Sequence, residues 1–465
     1  MPQRVVIVGA GITGLTCAYV LNFFNPKPAI TLIDAGPEPQ FAPEKTFLKG
    51  HSGATLGHGR DSRHFTGTEG LSFQNPVHTK LLYESANDKS AGWRTIPENE
   101  LTTREKRWRQ ECVDRYQKHV TPKQNPYDEM YAVLNYGGVE AWSFLASLDS
   151  ELAQFRISQD YVYVAFEDEQ AIKADFNSES HFNPFNSDVK SRISIVETDV
   201  FHDRLAKVFA IDKIYPKLLR VPGTSWRIQS VWKHFYGLLQ EKSNVAFRWN
   251  STIAKAKDLP TATNYVWAAG STHTAPDIYR EHGRVQGIGG WWLSIPNPGF
   301  KAPFKISAPQ PSGYINFTPD GRFLHISGGF GWVGEREFQE ACRLLKPTEE
   351  HFLEHISLFL KIPKATLKRY DTGCCIRPTT PTGLPDVKAL SYDGGKHIMI
   401  SGAGKAGATQ APLLALHVAR SLGLNVDNKL QAYKEHSAES GKVIKRGLQL
   451  LDRGFEHEYG KNMHV

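Results

Sequence analysis

Apolar and polar positions divide the chain into short strand-like runs and longer helical ones. The first run, Val5 to Val8, passes through Gly9-Ala10-Gly11-Ile12-Thr13-Gly14 into a helix pattern carrying Leu15, Ala18, Tyr19 and Leu21. A second strand, "AITLID" (29–34), ends on Asp34. "EMYAVLNYGGVEAWSFLASLD" (129–149) reads as an amphipathic helix interrupted at Gly137-Gly138. Short β-like runs such as "YVYVAF" (161–166) alternate with polar connectors over 155–220, which predicts a sheet-based second lobe. Residues 230–257 return to helix, strand and strand, and "NYVWAAGSTH" (264–273) is an apolar strand running into Ala268-Ala269-Gly270. From Gly287 to Trp332 the pattern predicts an antiparallel sheet, with Trp291, Trp292 and Trp332 in the core or lining a pocket. A helix (336–361) and a strand (364–370) follow. "HIMISGAGKAGATQAPLLALHVARSLG" (397–423) is then a strand leading through a second glycine-rich turn into a long apolar helix.

The N-terminal order carries chemistry. Gly9 permits a tight turn, Gly11 lets the backbone approach a pyrophosphate, and Gly14 lets helix and strand pack closely. The helix start supplies unpaired N–H groups and a positive dipole end. Asp34, 20 residues after Gly14, is placed to accept hydrogen bonds from a ribose diol. Ala269 and Gly270 suit a backbone closing over the same dinucleotide. These features predict an α/β fold with a Rossmann-type dinucleotide-binding lobe, and leave NAD and FAD both open. The lobe is discontinuous, made of 1–80, 225–285 and 370–430. A substrate lobe on a mixed or antiparallel sheet comprises 81–224 and 286–369, and 431–465 forms a helical tail. Residues 46–76 are rich in Gly, Ser, Thr and His and include His51, His58 and His64. They are too long for a simple connector, which suits a ligand-wrapping segment.

Composition narrows the rest. At 465 residues, 40% of them apolar, the chain exceeds one ordinary core. A net charge of +7 without a basic stripe argues against a nucleic-acid partner. The densest basic stretch, "TTREKRWRQECVDRYQKH" (102–119), is broken by Glu105, Glu111 and Asp114 and reads as a solvated helix face. No apolar run is long enough for a transmembrane span. A strand starting at Arg4 leaves no room for a signal peptide. Five scattered cysteines form no disulfide framework, and no CxxC or HxxxH spacing surrounds Cys374 and Cys375, so no metal is expected. A reducing, cytoplasmic location is expected. "DTGCCIRPTTPTGLPD" (371–386) is by itself open to three readings: metal site, disulfide or active-site edge.

"VVIVGAGITGLTCAYVL" with Asp34, "VWAAGSTH", "CIRPTTPTGLPDV" and "ISGAGKAGATQAPLLALHVARSL" together resemble the D-amino-acid oxidase/glycine oxidase superfamily of FAD-dependent oxidoreductases, which includes D-amino-acid dehydrogenases and sarcosine oxidases. The four segments bracket nearly the whole chain in the family's order. Departures are Asp34 for the usual Glu, Ala403 for the common His, and a longer 85–130 region. The resemblance implies bound FAD and oxidation of a small-molecule amine or amino acid to an imine, by hydride transfer to flavin N5. The electron acceptor would be oxygen, a quinone or a carrier protein. It implies that the 371–386 stretch is an active-site edge, neither metal site nor disulfide. Arg377, in the family's Arg-Pro pair, would bind a substrate carboxylate, for which a guanidinium fork is apt. Lys405 would contact substrate or flavin, and Gly402, Gly404, Ala406 and Gly407 would form the turn against the cofactor. Cys375 lies six residues before Pro381, where sarcosine oxidases join a cysteine to the flavin; a noncovalent cofactor and a buried, unlinked Cys375 are expected. Two other readings share these features: a tailoring enzyme acting on a macromolecular or natural-product amine, and a flavin-binding assembly protein without turnover.

Overall fold

The structure, a computed structural model, describes residues 3–39, 64–66, 93–94, 96–119, 126–158, 161–182, 193–197, 207–270, 285–307, 314–336, 338–370, 372–392, 394–433 and 438–453. Its first half contains β1 (Arg4–Val8), α1 (Ile12–Leu21), β2 (Ala29–Ile33), α2 (Thr103–His119), α3 (Pro126–Leu148), β3 (Tyr161–Ala165), β4 (Lys217–Trp226) and α4 (Ile228–Gln240). There follow β5 (Val245–Arg248), β6 (Asn264–Trp267), β7 (Gln286–Pro296), β8 (Phe304–Ser307), β9 (Tyr314–Pro319), β10 (Phe323–Gly334) and α5 (Phe338–Leu360). The chain continues through β11 (Thr372–Thr379), β12 (Asp386–Tyr392), β13 (Gly395–Ser401), α6 (Gly407–Ser421) and α7 (Ala438–Arg453).

Two sheets organise these elements. The first has six strands in the order β12-β13-β6-β1-β2-β5, all parallel except β12. Its central strand is buried on both faces, which explains the unbroken apolar run Val5–Val8. Ile7 packs with Leu15 and Ala18 of α1, Leu134 and Trp142 of α3, Leu413 and Leu416 of α6 and Ile444 of α7 in one core. Helix α3 is continuous through Gly137-Gly138, where an interruption was expected. The two glycines instead let it cross α6 at close range: a Cβ on Gly138 would overlap the Thr409 carbonyl, and Trp142 Nε1 donates to the Ala408 carbonyl at 2.9 Å.

The second sheet is mixed and mostly antiparallel, with the path β11-β7-β10-β9-β8-β3-β4. Alternation splits it into two faces. Behind it, Trp291, Leu293 and Cys374 pack under Leu345, Phe352 and Ile356 of α5. In front stand Ile288, Gly290 and Trp292, with Arg377 and Cys375 opposite the first two. Residues 364–367 form a short helix after Pro363, not the start of a strand; Lys364 holds it to α5 through Glu350 and Glu354.

Two further expectations are corrected. Cys342 of α5 and Cys374 of β11 form a disulfide, because α5 lies directly behind β11 and brings their Cα atoms to 5.9 Å, inside the bridging range. Cys375, on the opposite face, remains a buried thiol. Nor is α2 a solvated helix: Trp108 and Cys112 are buried, and Trp108 stacks on Trp332 with ring centroids 5.6 Å apart. No described helix is long and apolar enough to cross a membrane.

A buried polar knot braces α1 to α4. Asp149 Oδ2 accepts from Tyr19 Oη at 2.5 Å and lies 2.7 Å from His234 Nε2, while Oδ1 caps the next helix through Glu151 N and Leu152 N. Burial alone would raise this carboxyl's pKa; the hydrogen bonds from His234, Tyr19 and Leu152 outweigh it and hold it below the ordinary value. The folded pKa being depressed, this stabilisation is fully present above the ordinary aspartate pKa of about 3.9 and is lost as pH falls through the lower folded value. Asp149→Ala strands Tyr19 and His234 and removes the cap, so chemical denaturation at neutral pH should read a loss of about 2–4 kcal/mol. An unchanged midpoint would mean that the knot is solvated.

Candidate functional site

Three glycine turns meet at the carboxyl ends of β1, β6 and β13, the edge of a parallel sheet where ligands bind in such folds. In the first, Gly9 has φ +102°, and a Cβ there would overlap the Ala268 carbonyl of the second turn. A Cβ on Gly14 would overlap the Gly9 carbonyl, so α1 can approach β1 only with glycine there. Gly11 is different: a Cβ would meet no atom of the described residues within 4 Å. Among the described residues, nothing crowds Gly11 at the α1 N-terminus. Asp34 closes this turn, accepting from Ala10 N at 2.6 Å and Gly36 N at 2.8 Å. A carboxylate offers about four acceptor positions, so hydroxyl donors can still be received.

The second turn, Ala268-Ala269-Gly270, has Gly270 at φ +69°, and its carbonyl accepts from Ser401 Oγ at 3.0 Å. That bond ties it to the third turn, where Gly402 (φ +81°) and Gly404 (φ +57°) lead through Lys405, Ala406 and Gly407 into α6. A Cβ on Gly402 would stand 2.5 Å from Thr380 Cγ2. Ala403 forms a bridge with Thr379, the last residue of β11, so the third turn abuts the strand that carries Arg377. Lys405 is half-buried in it. The Thr380–Gly383 turn is closed by Gly383 N to the Thr380 carbonyl at 3.1 Å.

Arg377 is 7% exposed on the front of the second sheet. Its guanidinium lies over Gly290 of the neighbouring strand, with Nη2 2.6 Å and Cζ 2.8 Å from where a Gly290 Cβ would be. On the same face Ser294, His325 and Asp320 form a hydrogen-bonded row, with both links at 2.9 Å. Ser294 is fully buried, so the row braces β7 and β10 and presents no nucleophile. No group of three or more His, Cys, Asp or Glu among the described residues could hold a metal ion.

Helix α2 covers part of this face. Thr102 and Glu105 form a capping box at its start, with Thr102 N donating to Glu105 Oε2 at 2.8 Å and Glu105 N donating to Thr102 Oγ1 at 3.2 Å. Fully buried, Glu105 also receives Arg336 Nη1 at 2.5 Å and Glu335 N at 3.0 Å, which locks α2 to the end of β10. Glu335 in turn meets Arg104 and the amide of Gln286. From the sequence, Glu105 reads as part of a solvated helix face, and Gly290 was not singled out. The Thr-x-x-Glu spacing at 102–105 and the glycines inside the strand "QGIGGWW" (286–292) were the available signals. His51, His58 and most of the 46–76 segment lie outside the described residues; His64 sits in a short strand, His64–Thr66, paired with β4.

No protein-family model matches the chain, and no curated protein sequence matches it either. Solved structures do. Glycine oxidase from Bacillus cereus ATCC 14579 superposes with a TM-score of 0.52 at 11% identity, covering 90% of this chain and 95% of that one. A thermally stable mutant of fructosyl peptide oxidase gives 0.56 at 12% identity, covering 90% of each chain. L-α-glycerophosphate oxidase from Mycoplasma pneumoniae, with FAD bound, gives 0.50 at 13% identity, covering 91% of this chain and 96% of that one. With its glycine turns at the ends of a parallel sheet and a second sheet carrying Arg377, the chain shares the fold of these three oxidases.

Proposed function

We propose that the protein is an FAD-dependent oxidoreductase that oxidises the C–N bond of an amino acid or related amine to an imine. The observation that carries this reading is Arg377, a nearly buried guanidinium on the strand whose last residue pairs with the third glycine turn. The open approach to Gly11, the α1 N-terminus and Asp34 suit a pyrophosphate and a ribose. Ala269, Gly270 and the 402–407 turn suit the rest of the dinucleotide. FAD, when bound, supplies the hydride acceptor. Arg377 would hold the carboxylate so that the α-C–H is presented in one orientation, and Lys405 would add a positive charge at the same edge. The sheet and α2 would exclude water from the reacting bond. The likeness to a glycerophosphate oxidase supports a second reading, in which Arg377 holds a different anion and the bond oxidised is not C–N.

Purified protein is expected to be yellow and to release all its FAD on acid precipitation. Flavin left on the denatured chain, and lost in Cys375→Ala, would show a covalent link. A panel of amino acids, amines and hydroxy acids, watched for bleaching of the flavin, separates the two readings. Bleaching by α-amino acids supports the first, and bleaching by hydroxy compounds alone sinks it.

A further inference from the structure

Strand β7 contains Gly287, Gly289 and Gly290, although glycine weakens a strand interior. Each is explained by what a side chain would strike. At Gly287 a Cβ would come within 2.9 Å of the Gly334 carbonyl and of Ile376 Cγ2; at Gly289 it would overlap Leu345 of α5, behind the sheet. Gly290 alone of the three faces Arg377, whose Nη1, Nη2 and Cζ are the three nearest atoms to its missing Cβ. Arg377 stands opposite Ile288 in the register, so its side chain runs diagonally across the strand pair to reach Gly290, which is itself opposite Cys375.

We propose that Gly290 is a positioning residue that seats the Arg377 guanidinium and thereby sets how tightly the site holds a substrate carboxylate. This rests on the reading that Arg377 receives that carboxylate. The missing side chain leaves a slot one methyl group deep in the sheet floor, and the head of Arg377 fills it. A two-point bond to a carboxylate needs the fork in one place and one plane. Any side chain at 290 pushes the head out of the slot by about 1 Å, a displacement that can cost on the order of 100-fold in a positioned reaction.

The test is a double-mutant cycle read by inhibition constants for acetate and butyrate, with melting temperature followed in parallel. Gly290→Ala is expected to weaken both carboxylates at least ~10-fold, but to add nothing on an Arg377→Ala background, because it acts only through that side chain. KM for a carboxylate substrate should rise in Gly290→Ala, and KM for the matching amine without a carboxylate should stay unchanged. Gly289→Ala, which strikes the rear core, should lower the melting temperature and leave the inhibition constants alone. Weakening by the same factor with and without Arg377 would overturn the proposal. So would an intact inhibition constant in Gly290→Ala where Arg377→Ala loses it, which leaves the substrate reading standing. No effect of Arg377→Ala itself would overturn both. Should Gly290→Ala not fold, the Gly290→Ala/Arg377→Ala double variant, relieved of the overlap, must fold; its failure also overturns the proposal.

Discussion

Gly11→Val is expected to yield folded, colourless protein, and Gly14→Ala to yield almost no folded protein. The two glycines stand three residues apart in one motif, yet their surroundings are opposite. At Gly14 a Cβ would overlap the Gly9 carbonyl, a backbone atom fixed by the hydrogen bond from Gly9 N to Ile33 O at 2.8 Å. Neither α1 nor β1 can yield without disturbing the core around Ile7 and Leu15, so the cost should be about 3 kcal/mol or more. At Gly11 no atom of the described residues lies within 4 Å of where a Cβ would be. The Cβ of a valine there would meet no described atom within 4 Å, and its branched end would fill the proposed approach of the pyrophosphate. Circular dichroism and the flavin-to-protein ratio should therefore separate the pair. Wild-type flavin in Gly11→Val would move the cofactor away from α1.

Arg377→Ala should weaken a carboxylate substrate or competitive acid at least ~30-fold, since losing one partner of a desolvated charge pair costs roughly 2–5 kcal/mol and about 1.4 kcal/mol is tenfold. FAD content should stay near wild type, because Arg377 lies on the second sheet and not at the α1 N-terminus. Arg377→Lys should restore binding only in part, having charge without a fork. The comparison that decides is the matching amine lacking a carboxylate, whose oxidation should hardly change. Equal loss on both ligands, or loss of FAD, would make Arg377 a structural residue.

The half built on the first sheet was legible because its signals are local. Val5–Val8, the 9–14 glycines, α1 and Asp34 follow one another within a single β-α-β passage, and the structure builds them in that order. The third glycine turn at 402–407 was legible for the same reason. What stayed hidden depends on pairings distant in sequence. Gly290 acquires its meaning from Arg377, brought beside it by the β7–β11 register. Glu105 is buried by Arg336, more than two hundred residues away, so its charge pattern looked like that of a solvated helix. Gly137-Gly138 resembled a break because the parts of α6 that press on them, the Leu413 side chain and the Thr409 carbonyl, are far along the chain. Cys342 and Cys374, 32 positions apart, gave no spacing that distinguishes a bridge from two thiols.

That bridge makes the segment from Cys342 to Cys374 a covalent ring, closed through sulfur, containing most of α5 and the turn into β11. A protease cut anywhere inside the ring opens the backbone without parting the chain. Both fragments then stay joined, and the piece bearing Arg377 remains anchored to the half that carries β1 and α1. Such a nick would be invisible in electrophoresis without a reducing agent and would appear as two bands with one. The ring thus protects the connection between the two sheets against the kind of damage that severs an ordinary loop.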